Sequence, residues 1–381
     1  MSALKNIKVL EMCEIMQGPI AGQVLGDFGA DVIKIERPPR GDSLRYSDLV
    51  ANERGEMGSY FAAVNRNKRS LSLDLKNPED RSLFFRLLQE ADVLLHNYRP
   101  GAMEKLGLGF AEISAQFPRL IYACASGFGE SGPYAEMAGQ DLLLQSISGI
   151  GWKTTSGGDE PVFLNVPIAD FTSGNLLVQG ILLALLERQQ TGLGQKVSTS
   201  LLETITAMQC LEAATALNYD YETRWFDRAL NFTGQCTDGW ITVLGFFRDN
   251  PLKLICDALG LPDYSVQHDL PDKQSQIRAR DQIVGWVRPA LRSLSTSEAV
   301  SALQAKGVLA APILRMEAML AHPQTAANGT IVELPVEGQP AKRVLGNPVK
   351  LSRTPALIRR GPPHLNCDRE EICQQYSEHS R

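Results

Sequence analysis

Asp170 is the residue whose surroundings best fit a chemical device. It lies in Val166-Pro167-Ile168-Ala169-Asp170-Phe171-Thr172-Ser173-Gly174, directly ahead of a long apolar stretch. A carboxylate at a helix start has two readings. The plain one is an N-cap, which accepts backbone hydrogen bonds, feels the helix dipole and stays ionised. The chemical one uses the same physics: an ionised carboxylate held there can attack an activated acyl group such as a thioester carbonyl. A mixed anhydride forms and the thiolate leaves. A carboxylate suits the exchange of a thiol between two acids, because carrier and cargo leave about equally well. Such an exchange needs no ATP, metal or redox group.

A second set of candidates follows the run Ala91-Asp92-Val93-Leu94-Leu95-His96-Asn97-Tyr98-Arg99-Pro100-Gly101. Val93 to Leu95 has the apolar character of a buried strand in a parallel sheet. Asn97, Arg99, Pro100 and Gly101 are turn formers with exposed polar groups. Ligands of open α/β sheets bind at the carboxyl ends of such strands. Asn97, Tyr98 and Arg99 therefore stand where a ligand would sit, and the helical stretch 102–107 adds Lys105. An ordinary strand-to-helix loop is the competing reading.

The elements that must carry these residues are repeated β-α units. Ile7–Met12 reads as a strand, a helix with Pro19 in its first turn follows, and Asp31–Glu36 is the next strand. Ser70–Leu75 alternates in polarity and fits a short strand; Asn77 caps a helix to about Glu90; strands at 93–95 and 120–125 follow. A long apolar helix runs from Asp170 to about Arg188, then a turn at Thr191–Gln195, a short strand at 196–198, and a helix from near Ser200 towards Tyr219. This pattern predicts an α/β fold with a Rossmann-like, doubly wound parallel sheet. Residues 220–240 read as irregular. Trp240–Leu244 reads as a strand of a different region, with helices near 251–259, 277–292 and 297–306. A smaller α+β domain is expected over 225–320. The large domain then comprises 1–220 and 325–381, with the C-terminal tail returning to it.

Composition narrows the partners. The chain has 381 residues and a net charge of −5, which suits two domains and forces no basic face for nucleic acid. Its seven cysteines include no CxxC pair, and its histidines are scattered; free thiols in a reducing cytoplasm are expected, with no zinc site. No signal-peptide pattern is present. The longest apolar stretch, Leu176–Leu186, is broken by Gln179 and Gly180 and reads as a core helix, so no membrane partner is expected.

One motif misleads. Gly127-Phe128-Gly129-Glu130-Ser131-Gly132 matches GxGxxG after a strand. A dinucleotide fingerprint would open a helix there and place an acid about twenty residues on. Pro133 and Tyr134 continue the loop instead, and Ser148–Lys153 holds no acid, so a nicotinamide cofactor is rejected. The turn at Met16-Gln17-Gly18-Pro19 lacks the glycine triplet as well, and reads as a plain crossover.

The Ala-Asp-Val strand followed by Asn-Tyr-Arg-Pro-Gly resembles a signature of the class III CoA-transferases. These include formyl-CoA:oxalate and carnitine CoA-transferases, with α-methylacyl-CoA racemases as relatives. Other blocks match in the same order: Gly18-Pro19; Gly29–Glu36 with Gly41-Asp42; Asn65–Ser70 with Leu73–Lys76; Pro118–Ala123; Ala169-Asp170 with Gly174; and Thr191-Gly192 with Gly194-Gln195. They span most of residues 7–205. A weaker match covers Gly307–Pro312 and the Pro348–Pro355 tail. The resemblance implies that Asp170 is the nucleophile and passes through an aspartyl-CoA thioester. It implies that Arg37, Leu73, Asn97, Tyr98 and Lys105 contact coenzyme A: Arg37 and Lys105 at phosphates, Leu73 through its backbone near the adenine. Coenzyme A would be part of the substrate, with no tightly bound cofactor and small carboxylic acids as the exchange partners. An interlocked homodimer is implied too.

The racemases carry a histidine in Ala-Gly-His-Asp for a second base; here the stretch is Ala138-Gly139-Gln140-Asp141. Gln140 cannot shuttle a proton, so transfer is favoured over racemisation. Asp170 and Gln140 are the catalytic candidates, with Asp141 a further polar neighbour. Formyl-CoA transferases have Tyr at the Gln140 position and Lys at that of Ala138, and a glycine-rich flap that is absent here. The acid is therefore not fixed by the resemblance; Arg228 or Arg248 could hold a second carboxylate.

Overall fold

A computed structural model describes residues 2–153, 160–219 and 221–377. The chain divides into one unit of Met1–Gln209 with Ala327–Arg381, and a second of Cys210–Ala326.

The first unit is built on a six-stranded sheet of β1 (Lys8–Met12), β2 (Asp31–Glu36), β3 (Lys68–Ser72), β4 (Val93–His96), β5 (Ile121–Ser126) and β6 (Lys196–Ser200). The order is β3-β2-β1-β4-β5-β6 and every pairing is parallel, which is the doubly wound arrangement expected. Two apolar layers cover its faces. Leu10, Ile33, Leu94 and Tyr122 pack on one side with helix Pro78–Glu90. Val9, Val32, Leu95 and Ala123 pack on the other with helices Gln17–Asp27 and Ile168–Thr191. The alternation follows from the two-residue period of a strand.

β3 starts two residues earlier than its polarity pattern suggested, because Lys68, Arg69 and Ser70 are buried. Ion pairs make that possible. Lys68 and Lys34 share Glu11, at 2.8 and 3.1 Å, and Lys34 also meets Asp42 at 2.9 Å. Arg69 forms a two-pronged pair with Asp31.

Helix Ile168–Thr191 has 24 residues and is apolar enough, by length and composition, to cross a membrane. The break at Gln179-Gly180 does not interrupt it. Its buried side lies against the sheet layer; Gly174 touches helix Gln17–Asp27 so closely that a Cβ there would stand 2.5 Å from the Gln17 carbonyl oxygen. Phe171, Leu183 and Leu186 on the helix are exposed.

Strands Ile331–Val336 and Gln339–Leu345 pair antiparallel and form a small core with Met57 and Phe61 of the first unit. The tail beyond them is tied down as well: the Arg359 guanidinium donates to the carbonyls of Gly26 and Ala30.

The second unit has a three-stranded antiparallel sheet of Asn231–Gln235, Trp240–Leu244 and Leu309–Pro312, packed against helices Pro251–Leu259, Arg280–Leu291 and Thr296–Ala305. Of the stretch read as irregular, residue 220 lies outside the described residues and Asn231–Gln235 is a strand. Its polar sequence hid it, since it contributes only Phe232 as a large apolar side chain to that core.

Candidate active site

The strand order turns between β1 and β4, and the loops leaving their carboxyl ends diverge there. A cavity of about 490 Å³ occupies this position. Glu14–Gln17 after β1, Asn97–Pro100 after β4, Ser126 and Gly127 after β5, the loop Met137–Asp141 and Asp170 all line it. Asp170, Gln140, Asn97 and Tyr98, far apart in sequence, thus border one space.

The loop after β1 is held from three sides. Asn97 accepts from the Glu14 N–H at 3.0 Å and donates back to the Glu14 carbonyl at 2.8 Å. Lys34 donates to the Cys13 carbonyl at 2.7 Å. Asp42, itself paired with Lys34, accepts the Ile15 N–H at 3.1 Å. Ile15 sits at φ 68°, a costly conformation for a β-branched residue, and its side chain is exposed. The buried ion cluster below the sheet edge thus fixes the shape of the cavity rim.

Gly127 and Gly139 bring the far wall together. A Cβ on Gly127 would stand 2.5 Å from the Gly139 Cα, so two backbones touch here. This contact, and the positive φ of Gly129 and Gly132, are what the GxGxxG spacing serves.

Asp170 is not the N-cap that the sequence suggested. The helix begins at Ile168 after Pro167, and Asp170 is its third residue. Asp141 caps the helix from outside: one carboxylate oxygen accepts from Ala169 N at 2.6 Å and Asp170 N at 3.1 Å. Its other oxygen accepts from Gln145 at 2.7 Å. The Asp170 carboxylate is left with no hydrogen-bond partner among the described residues. The expectation of a firmly ionised cap is corrected accordingly: burial, then the charge of Asp141, push its pKa up to about 7. A half-ionised carboxylate of raised basicity is a better nucleophile than a capped one.

The remaining predicted residues are placed differently. Asn97 spends its amide on Glu14, and Tyr98 is half-buried with its hydroxyl pKa raised to about 12 by burial and Glu14. Arg37 and Lys105 are exposed, just beyond β2 and at the end of helix Ala102–Lys105. Leu73 is buried beyond β3, its N–H bonded to the Glu36 carbonyl at 3.0 Å. None of these three lines the cavity; they continue along the same carboxyl edge. With strands about 4.8 Å apart, the row from β3 to β5 spans roughly 19 Å. Arg248 donates to the carbonyls of Gly307 and Phe247, and Arg228 lies over Trp225; neither lines the cavity.

The sequence reading missed the roles of three residues. Asp141 is the helix cap. Gln17 donates to Ser173 at 2.8 Å and to the Ser126 carbonyl at 3.3 Å, tying the Asp170 helix to β5. Glu14 faces the cavity with a carboxylate that has no partner among the described residues, its pKa raised by burial and Asp42. An acid two residues beyond β1, in the loop at its carboxyl end, was the available signal.

Comparison with known proteins covers the whole architecture. The sequence profile described as CoA-transferase family III matches residues 4–369. An "Acyl-CoA transferase" of Fusarium pseudograminearum is 32% identical over 98% of this chain and 84% of its own length. A "Succinate--glutarate CoA-transferase" of Agrobacterium fabrum is 31% identical over 95% of this chain and 92% of its own. The crystal structure of a CAIB/BAIF family protein from Brucella suis superposes with a TM-score of 0.88 at 29% identity, covering 98% of this chain and 99% of that one.

Proposed function

This chain belongs to CoA-transferase family III, and on that premise we propose that it moves coenzyme A from an acyl-CoA to a small carboxylic acid by covalent catalysis at Asp170. The observation that carries this is the Asp170 carboxylate itself: unpartnered, raised in basicity and bordering a cavity at the switch point of the sheet.

In this reading the Asp170 carboxylate attacks the thioester carbonyl and coenzyme A leaves as a thiolate. The acyl-aspartyl anhydride is attacked at the aspartyl carbonyl by the thiolate, which releases the donor acid and leaves an aspartyl-CoA thioester. The acceptor carboxylate attacks that thioester, giving a second anhydride and the thiolate again. Attack of the thiolate on the acceptor's carbonyl yields the new acyl-CoA and frees Asp170. Overall one thioester and one carboxylate replace another such pair, so the exchange is close to neutral in energy although its anhydride intermediates are more activated. Asp141 and Gln17 hold the helix that carries Asp170, and Gln140 borders the acyl group.

Coenzyme A would lie along the carboxyl edge, with Arg37 and Lys105 meeting phosphates, Leu73 near the adenine, and Asn97 and Tyr98 beside the pantetheine arm. The exposed guanidinium of Arg37 and ammonium of Lys105 support this, as charge-assisted donors should. A homodimer fits the exposed apolar face of helix Ile168–Thr191, where Phe171 is 51%, Leu183 59% and Leu186 56% exposed. Light scattering should give twice the chain mass, and Leu183→Glu with Leu186→Lys should give a monomer without exchange activity; a monomeric, active wild type would refute the dimer.

The test of mechanism is mass spectrometry after incubation with a panel of acyl-CoAs, with hydroxylamine or borohydride trapping. A covalent adduct on Asp170, absent in Asp170→Ala, is expected. Binding without an adduct, together with deuterium uptake at the acyl α-carbon, would overturn transfer in favour of racemisation.

A further inference from the structure

The walls of the Asp170 cavity also restrict which acid can enter. The acid's reacting carboxylate must reach Asp170, so the rest of its chain lies against the remaining lining. A second carboxylate on that chain would be desolvated there, and it would need a cation or several N–H donors to compensate. Arg99 is the one cation lining the cavity among the described residues; Glu14, Asp141 and Asp170 are all acids. Arg99 also borders a small adjoining hollow lined by Glu104, Glu130 and Lys196, where Lys196 pairs with Glu130; around the main cavity three acids stand against this single cation. The Asp141 charge is spent on helix N–H groups, but that of Glu14 is not met by any hydrogen bond.

Polar groups of Gln17, Asn97, Tyr98, Ser126 and Gln140 share the lining with an apolar stretch of the rim. Ile15 is 47% and Met137 45% exposed at the cavity rim, with Met16, Ala138 and Leu201 beside them. Ile15 is presented at a cost in backbone strain, enforced by Asp42. Methionine adapts its shape to variable apolar groups. An apolar stretch of rim with an unpaired acid beside it favours hydrocarbon and disfavours a second negative charge, which is discrimination by both arms.

Resting on the transferase reading above, we propose that the cavity selects acids whose chain beyond the reacting carboxylate is uncharged and apolar, with Glu14 as the residue that turns away a second carboxylate. Butyryl-CoA and succinyl-CoA test this, because their acyl groups have the same four-carbon length and differ in the terminal charge. Each is incubated with the purified protein, and the rate of Asp170 adduct formation is read by mass spectrometry. The butyryl adduct should form at least tenfold faster. Glu14→Gln should shrink that ratio by at least threefold, chiefly through a lower KM for succinyl-CoA, whereas Glu14→Asp, which keeps the charge, should retain it.

A succinyl adduct forming as fast as the butyryl one would overturn the selectivity and leave Asp170 catalysis intact. An undiminished ratio in Glu14→Gln, with the variant still folded, would remove Glu14 from the assignment. Failure of every acyl-CoA to mark Asp170, on protein that binds coenzyme A, would overturn both the mechanism and the selectivity built on it. The wild-type ratio needs no variant, so a misfolded mutant does not protect the proposal.

Discussion

Glu11 and Asp170 are both carboxylates in the same unit, and the protein treats them oppositely. Glu11 is fully buried between two fully buried lysines, Lys34 and Lys68. Every lysine donor has an acceptor: Lys68 also bonds the Pro19 carbonyl and Asn65, and Lys34 the Cys13 carbonyl and Asp42. Burial lowers the Lys34 pKa, but Glu11 and Asp42 outweigh it and the shift is upward; Lys68, served chiefly by the shared Glu11, is pulled down to about 8 by burial. Asp170 is only partly buried, yet its carboxylate has no hydrogen-bond partner among the described residues and another acid stands beside it. Paired charge makes a scaffold, because nothing is gained when a substrate arrives. Unpaired charge at a cavity is costly until a substrate engages it, which is the condition for covalent chemistry.

Substitution should separate the two roles. Asp170→Asn keeps shape and removes the proposed nucleophile, so CoA exchange should fall by a factor on the order of 10⁴ or more while coenzyme A still binds. Exchange at the wild-type rate would erase the distinction drawn here. Glu11→Gln should act through stability instead, destabilising by about 3–5 kcal/mol because buried Lys68 loses its counter-charge and Lys34 keeps only Asp42. Denaturant unfolding measures this. Activity per folded molecule should fall much less than in Asp170→Asn, and a larger activity loss in fully folded Glu11→Gln would show that the scaffold takes part in chemistry.

The scaffold was legible in the sequence wherever one period ruled. β2 matches its expected bounds because it alternates between two apolar layers, and Asn77 caps its helix through Glu79 and Asp80 as its position predicted. β3 was misplaced because buried Lys68 and Arg69 break the polarity pattern, and only partners from β1 and β2 make them tolerable. The strand Asn231–Gln235 was missed because its pairing with Trp240–Leu244, not its own composition, stabilises it. At the candidate site, the sequence pointed to Asp170, Gln140, Asn97 and Tyr98, which border one cavity. Their environment was not legible: the capping of the Asp170 helix by Asp141, 29 residues earlier, is a tertiary contact with no local signature.

That contact yields the smallest and sharpest test of the comparison. The Asp170 pKa rises from 3.8 to about 7 on folding. The folded protein therefore binds this proton more tightly than the unfolded chain does. Between about pH 4 and 7 the unfolded chain has released it while the folded one retains it, so this group's contribution to stability falls as pH rises through that window and is constant above it. Asp170→Asn removes the ionisation from both states. The variant should thus melt at a higher temperature than wild type, with a difference that is small near pH 4, grows towards pH 7 and then levels. Adduct formation by the wild type should rise over the upper part of the same window, as the carboxylate ionises. A melting difference independent of pH would mean that Asp170 ionises at its ordinary pKa, like a hydrogen-bonded cap, and the contrast with Glu11 would then rest on geometry alone.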